Sequence, residues 1–208
     1  MDKGRLEAFS DNVFSIAMTL LIFNITVPSL AAPVSDAALW ATIDDLLPSI
    51  IVFFLTFAVL SVMWINHHFI FHRFAKSVDR RLNLINLAYL AFVAFVPFSA
   101  SFIARYHSHQ AAAILYGIDI FMIVLLAASM IGYLKRHPEE MLSDSVTQRL
   151  MNQATFRSNL SLFSYLIGLA ASFVSVPLAL FFYAFPTIFN IIPGSLDLAE
   201  RVFGFTLD

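Results

Sequence analysis

The sequence predicts an all-α integral membrane protein with six transmembrane helices per subunit. Three observations predict it. Hydrophobic residues make up 60% of the 208 and charged residues only 12%, whereas a soluble domain is about half apolar and about a quarter charged. Mean hydropathy is +0.81. Apolar runs of about 20 residues, the length that crosses a bilayer, recur along the chain. The absence of cysteine excludes disulfides, thiolate metal sites and cysteine nucleophiles. The formal net charge of -2 carries no nucleic-acid signal. Residues 1–208 read as one transmembrane unit.

The first span is Phe9 to Val27, stopped by Pro28. It is too long for a signal-peptide core and no small-residue cleavage site precedes Pro28, so it reads as a retained helix. The second runs from about Leu46 to Phe71, with Asp44 and Asp45 just before it and Pro48 in its first turn, where proline is tolerated. The third is about Leu82 to Ala104, with a kink expected at Pro97. The fourth is about Ala111 to Leu134, closed by KRHPEE. The stretch from Asn159 to Gly194 is too long for one span and suits two short ones that turn near Val176 and Pro177. A five-span reading, with this last stretch re-entrant, is the alternative. Lys135 to Thr155 reads as a linker. The tail DLAERVFGFTLD has the spacing of an amphipathic surface helix.

Charge supports the even count, because Lys and Arg favour cytoplasmic loops. Lys3 and Arg5 precede the first span. Arg73, Lys76, Arg80 and Arg81 lie between the second and third. Lys135, Arg136, Arg149 and Arg157 lie between the fourth and fifth, and Arg201 is in the tail. Only Arg105 falls on the other side. Both termini are therefore expected in the cytoplasm.

That topology places polar residues of three helices at one depth. Ser10, Asp11 and Asn12 begin the first span. Trp64, Asn66, His67, His68 and His72 end the second, and Asn83 and Asn86 begin the third. An unpartnered polar group in hydrocarbon costs several kcal/mol. Asp11 and Ser10 are thus expected to pair with imidazole, indole N–H or Arg5. The alternative is that these residues are hydrated near the membrane surface, with Trp and Arg as anchors. His68 and His72, at i and i+4, share a helical face as a metal pair would. His67 points elsewhere and the remaining histidines are far off, so no metal and no cofactor are expected. Asp119 is an acid inside the fourth span, a functional candidate by position, or else a carboxyl bonded to a neighbouring helix. Thr19, in mid-span, is expected to bond its own backbone.

The string Arg5-x-x-x-Phe9-Ser10-Asp11, followed by VFSIAMTLLIFNITVP, resembles the first helix of the transmembrane protein 175 family, the endosomal and lysosomal potassium channels and their prokaryotic relatives. WINHHFIF in the second span shares the likeness. The resemblance implies a single-repeat form in which a homotetramer surrounds a central pore in the cell membrane. It implies a structural network of Arg5, Phe9, Ser10, Asp11, Trp64, His67 and His68. It also implies that the first helix lines the pore with Ile16, Thr19, Leu20 and Phe23, which fall on one helical stripe. Phe23 stands where the family more often has an aliphatic residue, and Asn24 where an acid is common. No TVGYG loop occurs, so a carbonyl ladder is not expected. A ring of Ile16 side chains would close the pore by dewetting, and Thr19 hydroxyls would offer oxygen to a partly dehydrated potassium ion.

The leading expectation is a potassium-preferring cation channel in the lipid bilayer, with no nucleic-acid partner and no enzymatic reaction. A secondary transporter or proton-coupled carrier using Asp119 and the second-span histidines is the alternative, although such carriers usually show internal repeats. Nothing in the chain resembles a nucleophile with an oriented base, which argues against an intramembrane enzyme.

Overall fold

The computed structural model describes residues 2–203 and 206–207. The first helix, α1, spans Lys3–Leu20 and tightens into a 3₁₀ turn over Leu21–Asn24. Then follow α2 (Asp36–His68), continued by a π-helical turn over Phe69–Phe74, α3 (Arg80–Arg105), α4 (Gln110–Arg136), a single turn α5 (Pro138–Met141), α6 (Gln148–Ala171), α7 (Val176–Ile191) and α8 (Ser195–Phe203). Side-chain caps start four of them: Asp2 accepts from the Gly4 N–H, Ser35 from Ala38, Asp79 from Leu82 and Thr147 from Leu150. Each cap satisfies a donor that the first helical turn leaves open.

Among the described residues, four helical runs are long and apolar enough to cross a membrane: Lys3–Asn24, Asp36–Phe74, Arg80–Arg105 and Gln110–Arg136. α7 and α8 meet at a bend of 103° and make a fifth if taken together as one broken span. The sequence stretch expected to form the fifth and sixth spans folds as a hairpin of α6 and α7, turning just before Val176. Neither arm meets the length and apolarity of a span alone. α6 carries Gln148, Arg149, Asn152, Gln153 and Arg157 in its first half. α7 has 16 residues, roughly 24 Å at 1.5 Å per residue against a hydrocarbon core of about 30 Å.

Two expected boundaries move. α2 begins ten residues before the expected Leu46, because Ser35 caps a run that is already helix-forming, and Pro48 consequently lies inside the helix. The expected linker to Thr155 is largely helical, since α4 continues to Arg136 and α6 starts at Gln148. The tail helix is present as α8, but Gly204, Phe205 and Asp208 of the expected amphipathic segment lie outside the described residues, as does Met1.

The core is one continuous cluster running from Leu6 on α1 to Tyr183 on α7. Small residues allow close approach, as is usual between membrane helices. Tyr183 fills a slot between α4 and α6: a methyl group on Gly117 or on Gly168 would fall inside its ring or hydroxyl. Its hydroxyl donates to the Ala113 carbonyl at 3.1 Å. The basic connections gather at one end. Lys3 Nζ donates to the Ala75 carbonyl, Lys76 N–H to Met141 and Ser143 N–H to Phe74, and Ser77 Oγ to the Glu140 carbonyl. The chain start, the α2–α3 connection and the α4–α6 connection are thereby clamped together.

Candidate functional site

α1 divides into two faces. Leu6, Ser10, Phe14 and Ala17 are buried, as is Leu21 in the 3₁₀ turn. These positions recur every three or four residues, the period of one helical stripe. Phe9, Ile16, Thr19, Leu20 and Phe23 lie on uncovered surface, with Ile16 59% and Phe23 73% exposed. The Thr19 hydroxyl donates to the Ser15 carbonyl at 2.6 Å, so its proton is committed to its own helix and its lone pairs remain available outward. At the end of the stripe, Asn24 donates through Nδ2 to the Pro97 carbonyl at 3.2 Å, tying the 3₁₀ turn to α3.

The polar residues at the basic end form two separate links. One joins three helices. Asn86 on α3 donates through Nδ2 to Ser10 Oγ at 3.2 Å, Ser10 donates to the Leu6 carbonyl at 2.9 Å, and Asn86 Oδ1 meets His67 Nε2 at 2.7 Å. An amide oxygen only accepts, so His67 carries its proton on Nε2. Ser10, His67 and Asn86 are all buried. The His67 ring stacks on Tyr89 with centroids 5.2 Å apart and also touches Phe14 and Phe71. The Tyr89 hydroxyl donates to the Met63 carbonyl. The second link is nearer the surface: the Trp64 indole N–H donates to Asp11 Oδ1 at 2.8 Å.

Three of the residues named from sequence make none of these hydrogen bonds, although the His68 ring lies 6.2 Å from that of Trp64. Arg5 and Phe9 are exposed. His68 is exposed and lies parallel to His72, with centroids 4.9 Å apart. Asn86 is the hub of the buried link; its shared depth with Ser10 and His67 was readable, but its role as the joint was not. Tyr89 was missed altogether, because a tyrosine in an apolar helix gives no sign of which carbonyl it reaches.

Asp119 is buried in α4, accepting from Ser99 on α3 through Oδ2, while Oδ1 has no hydrogen-bond partner among the described residues. Tyr116, one turn away, pairs with Thr56 of α2 at 3.2 Å. At the basic end, Asp79 caps α3 and accepts from the Tyr133 hydroxyl. Burial pushes the Asp79 carboxyl up, but the Tyr133 hydroxyl and the backbone N–H groups of Leu82 and Arg81 outweigh it and hold it below the usual carboxylate range. Among the described residues, no three His, Asp or Glu side chains gather to hold a metal ion.

Comparison with known proteins decides the family. Residues 5–97 match the family described as the endosomal/lysosomal potassium channel TMEM175. The chain is 34% identical over 184 residues to a potassium channel of Streptomyces collinus, covering 86% of each chain. The chain belongs to the TMEM175 family. A potassium channel of Chamaesiphon minutus is 32% identical over 177 residues, covering 84% of this chain and 86% of that one. The fold agrees with the crystal structure of a lysosomal potassium-selective channel TMEM175 homologue from Chamaesiphon minutus, with a TM-score of 0.76 and 31% identity over 90% of this chain and 95% of that one. TMEM175 is a family of ion channels rather than of enzymes. The residues matched to the TMEM175 family take in α2 and most of α1 and α3, the helices that carry both polar links.

Proposed function

We propose that this protein is a potassium-preferring cation channel, in which four copies surround a central pore lined by α1. The observation that carries the reading is kinship along most of the chain with proteins named potassium channels. The geometry of α1 supports the pore assignment. Its inner face is fixed to α2 and α3 by the Ser10–Asn86–His67 link, and its outer face leaves Ile16, Thr19, Leu20 and Phe23 exposed among the described residues. A ring of four Ile16 side chains would give a hydrated ion no hydrogen-bonding partner and so close by dewetting. Thr19, whose proton already serves Ser15, would present oxygen to a cation one turn further on.

In this reading the chain crosses the membrane six times, with α6 and the shorter α7 as the last two spans, and residues 1–208 act as one unit. The clamped basic end faces the cytoplasm of a cell-membrane protein, in keeping with the location of Lys and Arg. Arg5 and Phe9 would then contribute to contacts at subunit boundaries, while His68 packs on Trp64 of its own subunit.

The test is flux through purified protein in liposomes under potassium or sodium gradients. Potassium flux exceeding sodium flux, from a four-copy particle, is the expected result. Uptake that requires a proton gradient and stops with Asp119→Asn would instead make the protein a carrier.

A further inference from the structure

A cavity of about 520 Å³ lies away from α1, at the basic end of the bundle, between α2, α4, α6 and the bend from α7 to α8. That volume is within the usual range of about 300–1,000 Å³ for small-ligand sites. Its wall is largely apolar, with Met63, Ile123 and Ile131 among its residues. Ile65, Phe69 and Ile191 also line it and are 46%, 48% and 58% exposed, so it opens onto apolar outer surface.

Among the described residues, one charged side chain lines this cavity, Arg157 of α6. It donates through Nη1 to Asn190 Oδ1 at 2.8 Å and sits 5.8 Å from the centroid of the Phe189 ring. It forms no ion pair with a carboxylate among the described residues. A guanidinium carries five N–H donors and a permanent charge. A half-buried charge of that kind is normally matched by a counter-ion. Gln153 and Ser158 of α6 add neutral donors to the same cavity. An apolar mouth suits a ligand arriving from lipid rather than from water, and Leu196 of α8 reaches the cavity beside it.

We propose that the cavity holds an anionic lipid from the leaflet at the basic end, with its phosphate or carboxylate head on Arg157 and an acyl chain along the Met63–Ile123–Ile131 wall. The site is separate from the α1 stripe and does not depend on what the pore conducts.

The test is native mass spectrometry of the full-length protein in neutral detergent, with phosphatidylglycerol and phosphatidylcholine of identical acyl chains. Phosphatidylglycerol is expected to bind about tenfold more tightly. The preference should vanish in Arg157→Gln, and Ala127→Trp, which fills the cavity, should weaken both lipids. Added oleate separates the two head chemistries: displacement of phosphatidylglycerol shows that the site takes a carboxylate as well as a phosphate, and its failure restricts the site to phosphate. Equal binding of the two phospholipids to the unmutated protein overturns the proposal. So does a preference that survives Arg157→Gln, or, should the arginine variant not fold, binding of both lipids that is undiminished in Ala127→Trp.

Discussion

The covered face of α1 holds a polar residue, Ser10, among apolar ones, and the uncovered face mixes bulky apolar residues with Arg5, Asp11, Asn12 and Ser15. The covered face includes Ser10 and Ala17 beside Leu6 and Phe14, while Phe9, Ile16, Leu20 and Phe23 stand outside. Lipid tails are as apolar as leucine, so hydrophobicity does not choose which face turns inward. Hydrogen bonding and close packing choose instead. Ser10 needs Asn86, and Ala17 lets the neighbouring helices approach. The bulky residues gain nothing from the interior of one subunit and remain available to lipid or to another copy.

Breaking the covered face should have the largest effect. Asn86→Leu removes the hub and leaves the His67 N–H without its acceptor in a dry site. Each stranded group costs about 1–3 kcal/mol. Unfolding temperature in detergent should fall clearly, and size-exclusion chromatography should show dissociated or aggregated protein. Ser10→Ala, which strands only one donor of Asn86, should fall between this variant and the unmutated chain. An Asn86→Leu protein that melts and elutes normally would mean that packing alone holds α1.

The uncovered face should respond in function rather than stability. Ile16→Asn places a dipole where an apolar ring is proposed. Lowering the barrier by about 1.4 kcal/mol raises flux about tenfold, and discrimination between potassium and sodium should fall as hydrated ions pass. Ile118→Asn, at a residue of α4 that is 47% exposed, is the control and should change neither. If the two variants conduct alike, or if Ile16→Asn is silent while still assembled, α1 does not line the pore.

Apolar length made α3 and α4 legible, since each observed helix exceeds its expected span by only one or two residues at either end. It failed for α2, where Ser35 starts the helix far outside the apolar run, and for α6, whose first half is too polar for hydropathy to register. The depth of Ser10, His67 and Asn86 followed from topology alone. Their pairing did not, because a difference of one helical step separates His67, buried on Asn86, from His68, exposed on His72. Every face of these helices is apolar, and periodicity gives no rotation. The Ser99–Asp119 contact was hidden for the same reason: Asp119 was a visible acid, but the serine facing it across α3 resembled any other small residue. Replacing both, as Ser99→Ala with Asp119→Leu, should cost far less than Ser99→Ala alone, because it removes the stranded acceptor together with its donor. Thermal unfolding of the two variants measures the difference, and a double variant as unstable as the single one would show that the carboxyl has partners besides Ser99.

The smallest effect is expected at the edge between the two faces. Asp11 is exposed, and the indole that binds it belongs to Trp64, itself 40% exposed. Water can replace either partner, so the bond is worth far less than a charged bond in the interior. Asp11→Ala should lower stability by about 1 kcal/mol or less, and Asp11→Asn, which keeps an acceptor for the indole N–H, by only a few tenths. Trp64→Phe should remove the difference between Asp11 and its alanine variant, because a cycle of the two substitutions isolates their shared bond. Ion preference should be unchanged throughout. A variant at Asp11 that melts normally but loses discrimination between potassium and sodium would move this residue from the edge between the faces to the conducting one. The stripe at Ile16 would then be only part of the pore wall.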